Sequence, residues 1–511
     1  MVPLPDRLRH AMDSVASAGF QLSRDAFDFL STLDDQQVDK WIREALGKAS
    51  QMSPRPLVIT KDFFSLKTPI EAEPGVASSV AVTRVPATDV PSRIEVLTDS
   101  TKSIASKGSF DSFVKYFRDR FERMSTILYQ RPDVKGARSV GDALNAPQNE
   151  KTKFIAMIMS KRERKGKIFF EIDDLENTAT VLVVGDADRN LYDIAQKLSL
   201  DQVVCIEAVR GRNDLLVAKN IYLPEIPDRK PAKASEPVNV VLISDIHFGS
   251  KTFLESAFER MVLWLNGRVG SAQQVELAGR VKYVVIAGDL VDGVGIYPHQ
   301  EEELAVRDIY EQYRLVARFI QQIPEYMDVI LIPGNHDATR QSLPQPAIPW
   351  EYARPVYESR KVISVSNPSE VRLHGVNLLL YHGTSLNDVM ASVPEMELHA
   401  PEKAMEYLLK CRHLVPAYGM AASIAPEDED HLIVHTPPDI FHSGHVHVLG
   451  RRNYRGTLIV SSGAWLGQTD YQRKLGLEPT PGILPVVNLQ TLQLHTINFL
   501  SGELESLLRV A

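Results

Sequence analysis

Val238-Asn-Val-Val-Leu-Ile-Ser-Asp-Ile-His247 is a short apolar run, rich in β-branched residues, that ends abruptly in Asp245 and His247. Such a run reads as a strand covered on both faces. The polar residues at its carboxyl end fall where open α/β sheets place their binding sites. The pattern recurs along the chain. Tyr283–Ala287 runs into Gly288-Asp-Leu-Val-Asp292, and Val329–Ile332 into Gly334-Asn-His-Asp337. Val376–Tyr381 leads to Tyr381-His-Gly383, Ile440–His442 leads to Gly444-His-Val-His447, and Leu458–Ser461 is a sixth strand of the same kind. Helical segments separate these strands, so residues 238–511 are expected to form a layered α/β domain.

Each polar block alone carries little weight, because Asp-x-His or Gly-Asp pairs are common as caps and turns. All five together follow apolar strands and offer metal-ligating side chains: Asp245, His247, Asp289, Asn335, His382, His445 and His447. Two divalent ions about 4 Å apart need a bridging carboxylate and several further donors around each ion. Mixed Asp, His and Asn donors suit manganese, iron or zinc better than calcium, which prefers oxygen cages. The glycines beside Asp289, Asn335 and His445 are expected to let the chain turn sharply and approach the ions.

Working outward, residues 1–50 read as a small helical domain. Val38, Trp41, Ile42, Ala45 and Leu46 share one helical face, as do Leu22, Ala26, Phe27 and Leu30, with Ser23 as N-cap. Residues 51–108 are expected to be a flexible linker, since Pro, Ser, Thr, Ala and Val dominate without a period. A helix and connector fill 109–149, with Phe110, Phe113, Val114, Phe117, Phe121 and Met124 on one stripe. Five short β-rich segments then fall within 150–227: 154–158, 167–172, 179–184, 203–208 and 215–221. Their number and length fit a closed barrel of the oligonucleotide-binding type, or another small β-domain. Lys161, Arg162, Arg164, Lys165 and Lys167 cluster in its first hairpin, where a solvated turn and a nucleic-acid contact are both open readings. A Pro-rich stretch, 224–237, links to the last domain.

The chain has 511 residues and a formal net charge of −8. It is long enough for several domains and too acidic to grip nucleic acid over its whole surface, so a local groove or a partner must supply positive field. Cys205 and Cys411, its two cysteines, lack metal-ligand spacing and exclude a disulfide framework. No run of 18 apolar residues occurs, and Met1 to His10 lacks a signal core, so a soluble cytoplasmic protein without membrane association is expected.

The block order resembles the calcineurin-like metallophosphoesterase superfamily. That resemblance implies a two-sheet α/β metallophosphoesterase domain. Asp245, His247, Asp289 and His447 would hold one ion. Asp289 would bridge to a second, completed by Asn335, His382 and His445, with Mn2+ the first choice and Fe2+ or Zn2+ also compatible. His336 would protonate the leaving oxygen, and Asp292 would orient the His336 ring. Protein serine/threonine phosphatases of this superfamily carry an Arg after the second Asp of the Gly-Asp block. Gly293 stands there, which disfavours a phosphomonoester.

The flanks are similar to one family in particular, the small subunit of archaeal family D DNA polymerase. The similar stretches are Gly288 to Pro298, Pro333 to Gln341 with Pro344-Gln-Pro346, Tyr381 to Asp388, Ser443 to Val448, Ser462 to Trp465 and Gln468 to Gln472. Upstream, Phe113 to Phe121 joins them. The resemblance spans residues 95 to 490. It implies a 3′→5′ proofreading exonuclease that also scaffolds a large catalytic subunit, acting on DNA with a 3′ end, with an oligonucleotide-binding barrel beside the phosphoesterase domain. A catalytically silent recruitment subunit and a free-standing nuclease are the alternatives. A sliding clamp, a primase or no partner are all compatible with the N-terminal helices.

Overall fold

The computed structural model describes residues 6–31, 33–51, 58, 59, 63 and 85–500. They fall into two units, Met1–Val85 with Arg318–Pro324 and Pro86–Ala317 with Glu325–Ala511. In the first, helices Asp6–Ser17, Arg24–Ser31 and Asp35–Gln51 bury Leu8, Val15, Ala26, Leu30, Val38, Ile42 and Ala45. Ser23 Oγ accepts from the Ala26 N–H at 3.3 Å, as expected of an N-cap. Helix Asp6–Ser17 has no counterpart among the expected elements, because Leu8, Ala11 and Val15 are single apolar residues in a polar stretch.

The expected linker at 51–108 needs correction in its last part; most of 52–84 lies outside the described residues. Ile94–Asp99 is a strand, paired antiparallel with Ser369–Leu373. It is the edge of its sheet and buries little, which is why its residues show no apolar period.

Five strands, Lys151–Arg164, Lys167–Asp173, Thr178–Val184, Val203–Arg210 and Leu216–Tyr222, close into a barrel in the order first, second, third, fifth, fourth. Phe154, Ala156, Ile158, Ile168, Phe170, Ile172, Val181 and Ile206 fill its interior. The intervening Ile155 and Met157 pack outside, with Val203 and Cys205, against Met124, Ile127 and Leu128 of helix Phe110–Tyr129. Both faces of the first strand are thus covered, and its apolar run is unbroken for that reason. Helix Arg189–Lys197, capped by Asp188, adds Leu191, Tyr192 and Ala195 to the barrel core. Short helices of this kind do not stand out from a strand-rich stretch.

The Phe110–Tyr129 helix exists as expected; Met124 of the expected stripe is buried and Phe117 and Phe121 pack beside it, but the buried face also takes in residues outside that stripe. Phe110 is 80% exposed, while Tyr116, Arg120, Met124, Ile127 and Leu128 are buried. The reason is ionic: Arg120 Nε meets Asp430 Oδ2 at 2.8 Å inside the protein, and His413 Nε2 meets the same oxygen at 2.8 Å. A charge at a core position is invisible to an apolar period.

Two six-stranded mixed sheets form the rest. The first has Asn239–Ile243, Val281–Ala287 and Asp328–Ile332 parallel at its centre. The second has Val376–Leu380, Ile440–Ser443 and Thr457–Ser461 parallel. Val240, Leu242, Val285, Ile330, Leu378, Leu380, Ile440 and Val460 pack into one core drawn from both sheets. The far side of the second sheet is covered by helix Pro401–Cys411, through Met405, Leu408 and Leu409. Both cysteines are buried and free.

Candidate metal centre

The five polar blocks leave the carboxyl ends of those parallel strands and converge. Nε2 of His247 and Nε2 of His447 lie 3.3 Å apart. Asp245 Oδ1 is 3.3 Å from His447 Nε2 and 3.9 Å from His247 Nε2. Asp289 Oδ2 is 3.6 Å from His247 Nε2. The same Asp289 oxygen is 3.2 Å from His382 Nε2, which is 3.0 Å from Asn335 Oδ1. His445 completes this second group, its ring 5.1 Å from that of His382. All seven expected ligand residues are therefore brought together, in two groups that share one carboxylate oxygen. Asp245, His247, Asp289, His382 and His447 are buried, whereas Asn335, His336 and His445 are half-buried and form the accessible side.

The backbone is strained to achieve this. Asp245, His247, Asp289, His445 and His447 have φ of 51°, 54°, 51°, 70° and 63°. A left-handed non-glycine residue costs on the order of 1–3 kcal/mol and persists only where surroundings over-determine it. The glycines serve mainly close packing. A Cβ on Gly334 would stand 2.2 Å from Asp289 Oδ1, and one on Gly444 would stand 2.3 Å from Asp245 Oδ2. Gly288 combines both demands, with φ +87° and a Cβ that would meet His382 Nδ1 at 2.6 Å.

Outer contacts fix which atom of each donor faces inward. Nδ1 of His247 bonds Asp292 Oδ1 at 2.9 Å, and Nδ1 of His382 donates to the Ala287 carbonyl at 2.8 Å. Gln472 Nε2 meets His447 Nδ1 at 2.8 Å, and Asn387 Nδ2 meets His445 Nε2 at 3.1 Å. The His336 N–H donates to Asp289 Oδ1 at 2.8 Å, leaving Oδ2 as the shared atom. Asp245 Oδ2 accepts from the His445 N–H at 2.9 Å and from the Ser244 hydroxyl. Asn367 Oδ1 receives the His382 N–H at 3.0 Å. Asp337 takes the N–H groups of Gly334 and Leu290 at 2.9 and 3.2 Å and the Tyr313 hydroxyl at 3.1 Å.

Sequence reading missed the roles of Ser244, Asn367, Asn387, Gln472 and Asp337. Asn387, Gln472 and Asp337 lie within the family-like stretches and were legible in principle; Ser244 and Asn367 gave no signal. Asp292 serves two rings through different atoms. The Asp292 carboxylate orients His247, while His336 Nδ1 bonds the Asp292 main-chain carbonyl at 2.7 Å and stands 3.7 Å from the carboxylate. Trp465 is buried, its main-chain N–H donating to the Asp245 carbonyl at 3.0 Å.

The electrostatics of the cluster suit a cation. Burial works against the Asp289 and Asp245 charges, but the surrounding histidines hold both carboxyls below their usual range, Asp289 well below it. Burial also disfavours a charged His382, yet Asp289 and Asp245 raise its pKa to about 9. Burial and neighbouring His382 push His445 down to about 3. Asp337 is raised to about 7 by burial and the Asp289 charge. Two carboxylates, an amide and four imidazoles aimed at two adjacent points could hold divalent ions.

The family model of the DNA polymerase alpha/epsilon B-subunits matches residues 240–447, a span containing all seven donors. The DNA polymerase II small subunit of Archaeoglobus fulgidus is 38% identical over 393 residues, which cover 77% of this chain and 78% of that protein. The Halobacterium salinarum small subunit is 32% identical over 98% of this chain and 100% of its own length.

The chain belongs to the DNA polymerase II small subunit family.

Against the Pyrococcus furiosus small subunit it is 38% identical over 394 residues, but these cover 64% of that relative. The chain thus spans less than two thirds of the Pyrococcus small subunits it matches. In this small-subunit chain the basic hairpin is only partly available. Lys161 Nζ donates to the carbonyls of Gln196 and Leu198 at 2.5 and 3.0 Å, and Arg162 pairs with Glu171 at 2.9 Å. Arg164, Lys165 and Lys167 are exposed. Among the described residues no helix is long and apolar enough to cross a membrane.

Proposed function

We propose that this chain is the small subunit of a two-subunit replicative DNA polymerase and that its centre is a two-metal 3′→5′ exodeoxyribonuclease. The observation that carries the reading is Asp289 Oδ2, held between His247 Nε2 at 3.6 Å and His382 Nε2 at 3.2 Å. A single shared oxygen with donors on both sides is the arrangement a pair of ions requires. Asp245, His247, Asp289 and His447 would hold one ion; Asp289, Asn335, His382 and His445 would hold the other, with Mn2+ the first candidate. Bound divalent ions supply Lewis acidity toward a phosphodiester and a water nucleophile at neutral pH.

The chain's own residues supply the rest. Asn335, His336 and His445 line the accessible side and meet the scissile phosphate. His336 Nδ1 is tied to the Asp292 carbonyl, so its Nε2 is the ring nitrogen left to pass a proton to the leaving oxygen. Asp292 positions His247 through its carboxylate. Hydrolysis from a 3′ end would remove misincorporated nucleotides for a large catalytic subunit, to which the acidic small subunit leaves much of the DNA grip. The barrel, an oligonucleotide-binding type in this reading, and the exposed Arg164, Lys165 and Lys167 contribute the remainder. Calorimetric titration with Mn2+ tests the core of this reading. Two ions per chain are expected, falling to at most one in Asn335→Ala, with loss of activity on a 3′-labelled strand.

A further inference from the structure

Beside the centre stands a loop, residues 293–299, that the nuclease reading leaves without a role. Two fully buried glutamines hold it. Gln312 Oε1 accepts from the Gly293 N–H at 2.9 Å, and its Nε2 donates to the Gly293 carbonyl at 3.1 Å. Gln300 Oε1 accepts from the Ile296 N–H at 2.9 Å, and its Nε2 donates to the Asp292 carbonyl at 2.7 Å. That carbonyl is the one that holds His336 Nδ1 at 2.7 Å. The loop and the proton donor therefore share one anchor. A Cβ on Gly293 would lie 2.5 Å from the His336 carbonyl, so the two segments are packed as closely as glycine permits.

This anchoring presents apolar surface to solvent. Val294 is 46% exposed and Tyr297 is 37% exposed. The Tyr297 ring centre lies 6.2 Å from that of His336, and its hydroxyl is tied to Glu303 Oε2 at 3.1 Å. Burial, Asp292 and Glu303 keep the phenol neutral. The Tyr297 ring stands at the mouth of the proposed phosphodiester site and is not among the fully buried core residues. What Tyr297 offers is a partly exposed aromatic ring whose centre lies 6.2 Å from that of the proposed proton donor. Base–aromatic stacking is indifferent to base identity, which suits an enzyme that must accept any terminal nucleotide.

We propose that Tyr297 is the platform on which the base of the nucleotide being excised stacks, forming a nucleobase subsite beside the metal centre. The inference rests on the nuclease reading and deepens it. Tyr297 is a positioning residue: it acts on the base and leaves the proton to His336.

The test compares wild type, Tyr297→Leu and Tyr297→Trp, each as the full chain with its large subunit and Mn2+. The substrates are one labelled strand with a normal 3′ nucleotide and the same strand with a reduced abasic 3′ end. Tyr297→Leu should lower kcat/KM on the normal end roughly five- to 150-fold, mainly through KM, as expected for one lost stacking contact. The loss should shrink to less than about twofold on the abasic end, and Tyr297→Trp should restore activity on the normal end. Equal losses on both ends, or no loss on either, overturn the Tyr297 subsite. Wild type that cleaves bis(p-nitrophenyl) phosphate but neither strand overturns the nuclease reading beneath it.

Discussion

Asp292 Oδ1 lies 2.9 Å from His247 Nδ1 and directs the opposite nitrogen of that ring at the candidate metal centre. Asp292 Oδ2 is buried with no hydrogen-bond partner. The carboxylate is thus placed to charge-balance a cation relayed through an imidazole. Asp292→Asn is expected to weaken Mn2+ binding about 10–100-fold. The orientation of His336 should survive, because it depends on the main-chain carbonyl. Titration calorimetry reads the first effect; if the affinity is unchanged, the carboxylate does not tune His247.

Proton competition gives the centre a pH dependence of known sign. His382, raised to about 9 by Asp289 and Asp245 against the effect of burial, is protonated at neutral pH and must lose that proton to bind an ion. Mn2+ affinity should therefore rise with pH, by up to about tenfold per unit below pH 9 for each proton displaced. Calorimetry in buffers of different ionisation enthalpy should show proton release on binding. Affinity that is flat from pH 6 to 9 would mean His382 is not a ligand.

Gly334 and Gly444 test the packing behind the two carboxylates. Neither has a left-handed backbone, so alanine brings no φ penalty, and what remains is the clash with Asp289 at Gly334, or with Asp245 and Ser244 at Gly444. Overpacking of this kind costs about 1–3 kcal/mol, here directed at a ligand. Gly334→Ala and Gly444→Ala should each lose Mn2+ affinity while unfolding cooperatively. Retained affinity in both would show that the carboxylates can shift freely.

The Arg120–Asp430–His413 cluster predicts how the second unit responds to acid. Burial disfavours the Asp430 charge, but His413 and Arg120 hold its carboxyl far below the usual range. A depressed folded pKa contributes stability that is present above the unfolded value, about 4, and is lost as pH falls below it. Asp430→Asn leaves Arg120 buried without its counter-charge and should cost about 3–5 kcal/mol at pH 7. The gap between variant and wild type should narrow by about 1.4 kcal/mol per unit as pH drops below 4. Denaturant unfolding at pH 7 and pH 3 measures both.

What the sequence revealed follows from which residues repeat a period. Val240 to Ile243 and Val284 to Ala287 lie in covered parallel strands, so their apolar runs were unmistakable and their carboxyl ends marked the candidate ligands. The five barrel strands were equally plain, because Phe154, Ile168 and Val181 alternate with exposed neighbours or with a second packed face. Ile94–Asp99 stayed hidden because an edge strand has little to bury. The Phe110 stripe was incomplete because Arg120, a charge, occupies a core position opposite Asp430. Within the site, Asp292 does meet the His336 ring, but through its main-chain carbonyl, while its carboxylate turns to His247; nothing in one dimension tells which of the two groups reaches which ring. Asn367 and Ser244 act across long separations in the chain and leave no local mark.

The most direct test of the central claim is Mn2+-dependent shortening of a 3′-mismatched primer–template by the purified chain with its large subunit, set against Asn335→Ala. Wild type is expected to remove the mismatched nucleotide 3′→5′, with at least about a 100-fold loss in the variant, whose second ion would lose a ligand. Equal rates in the two proteins, or no cleavage by wild type in the presence of Mn2+, would contradict it.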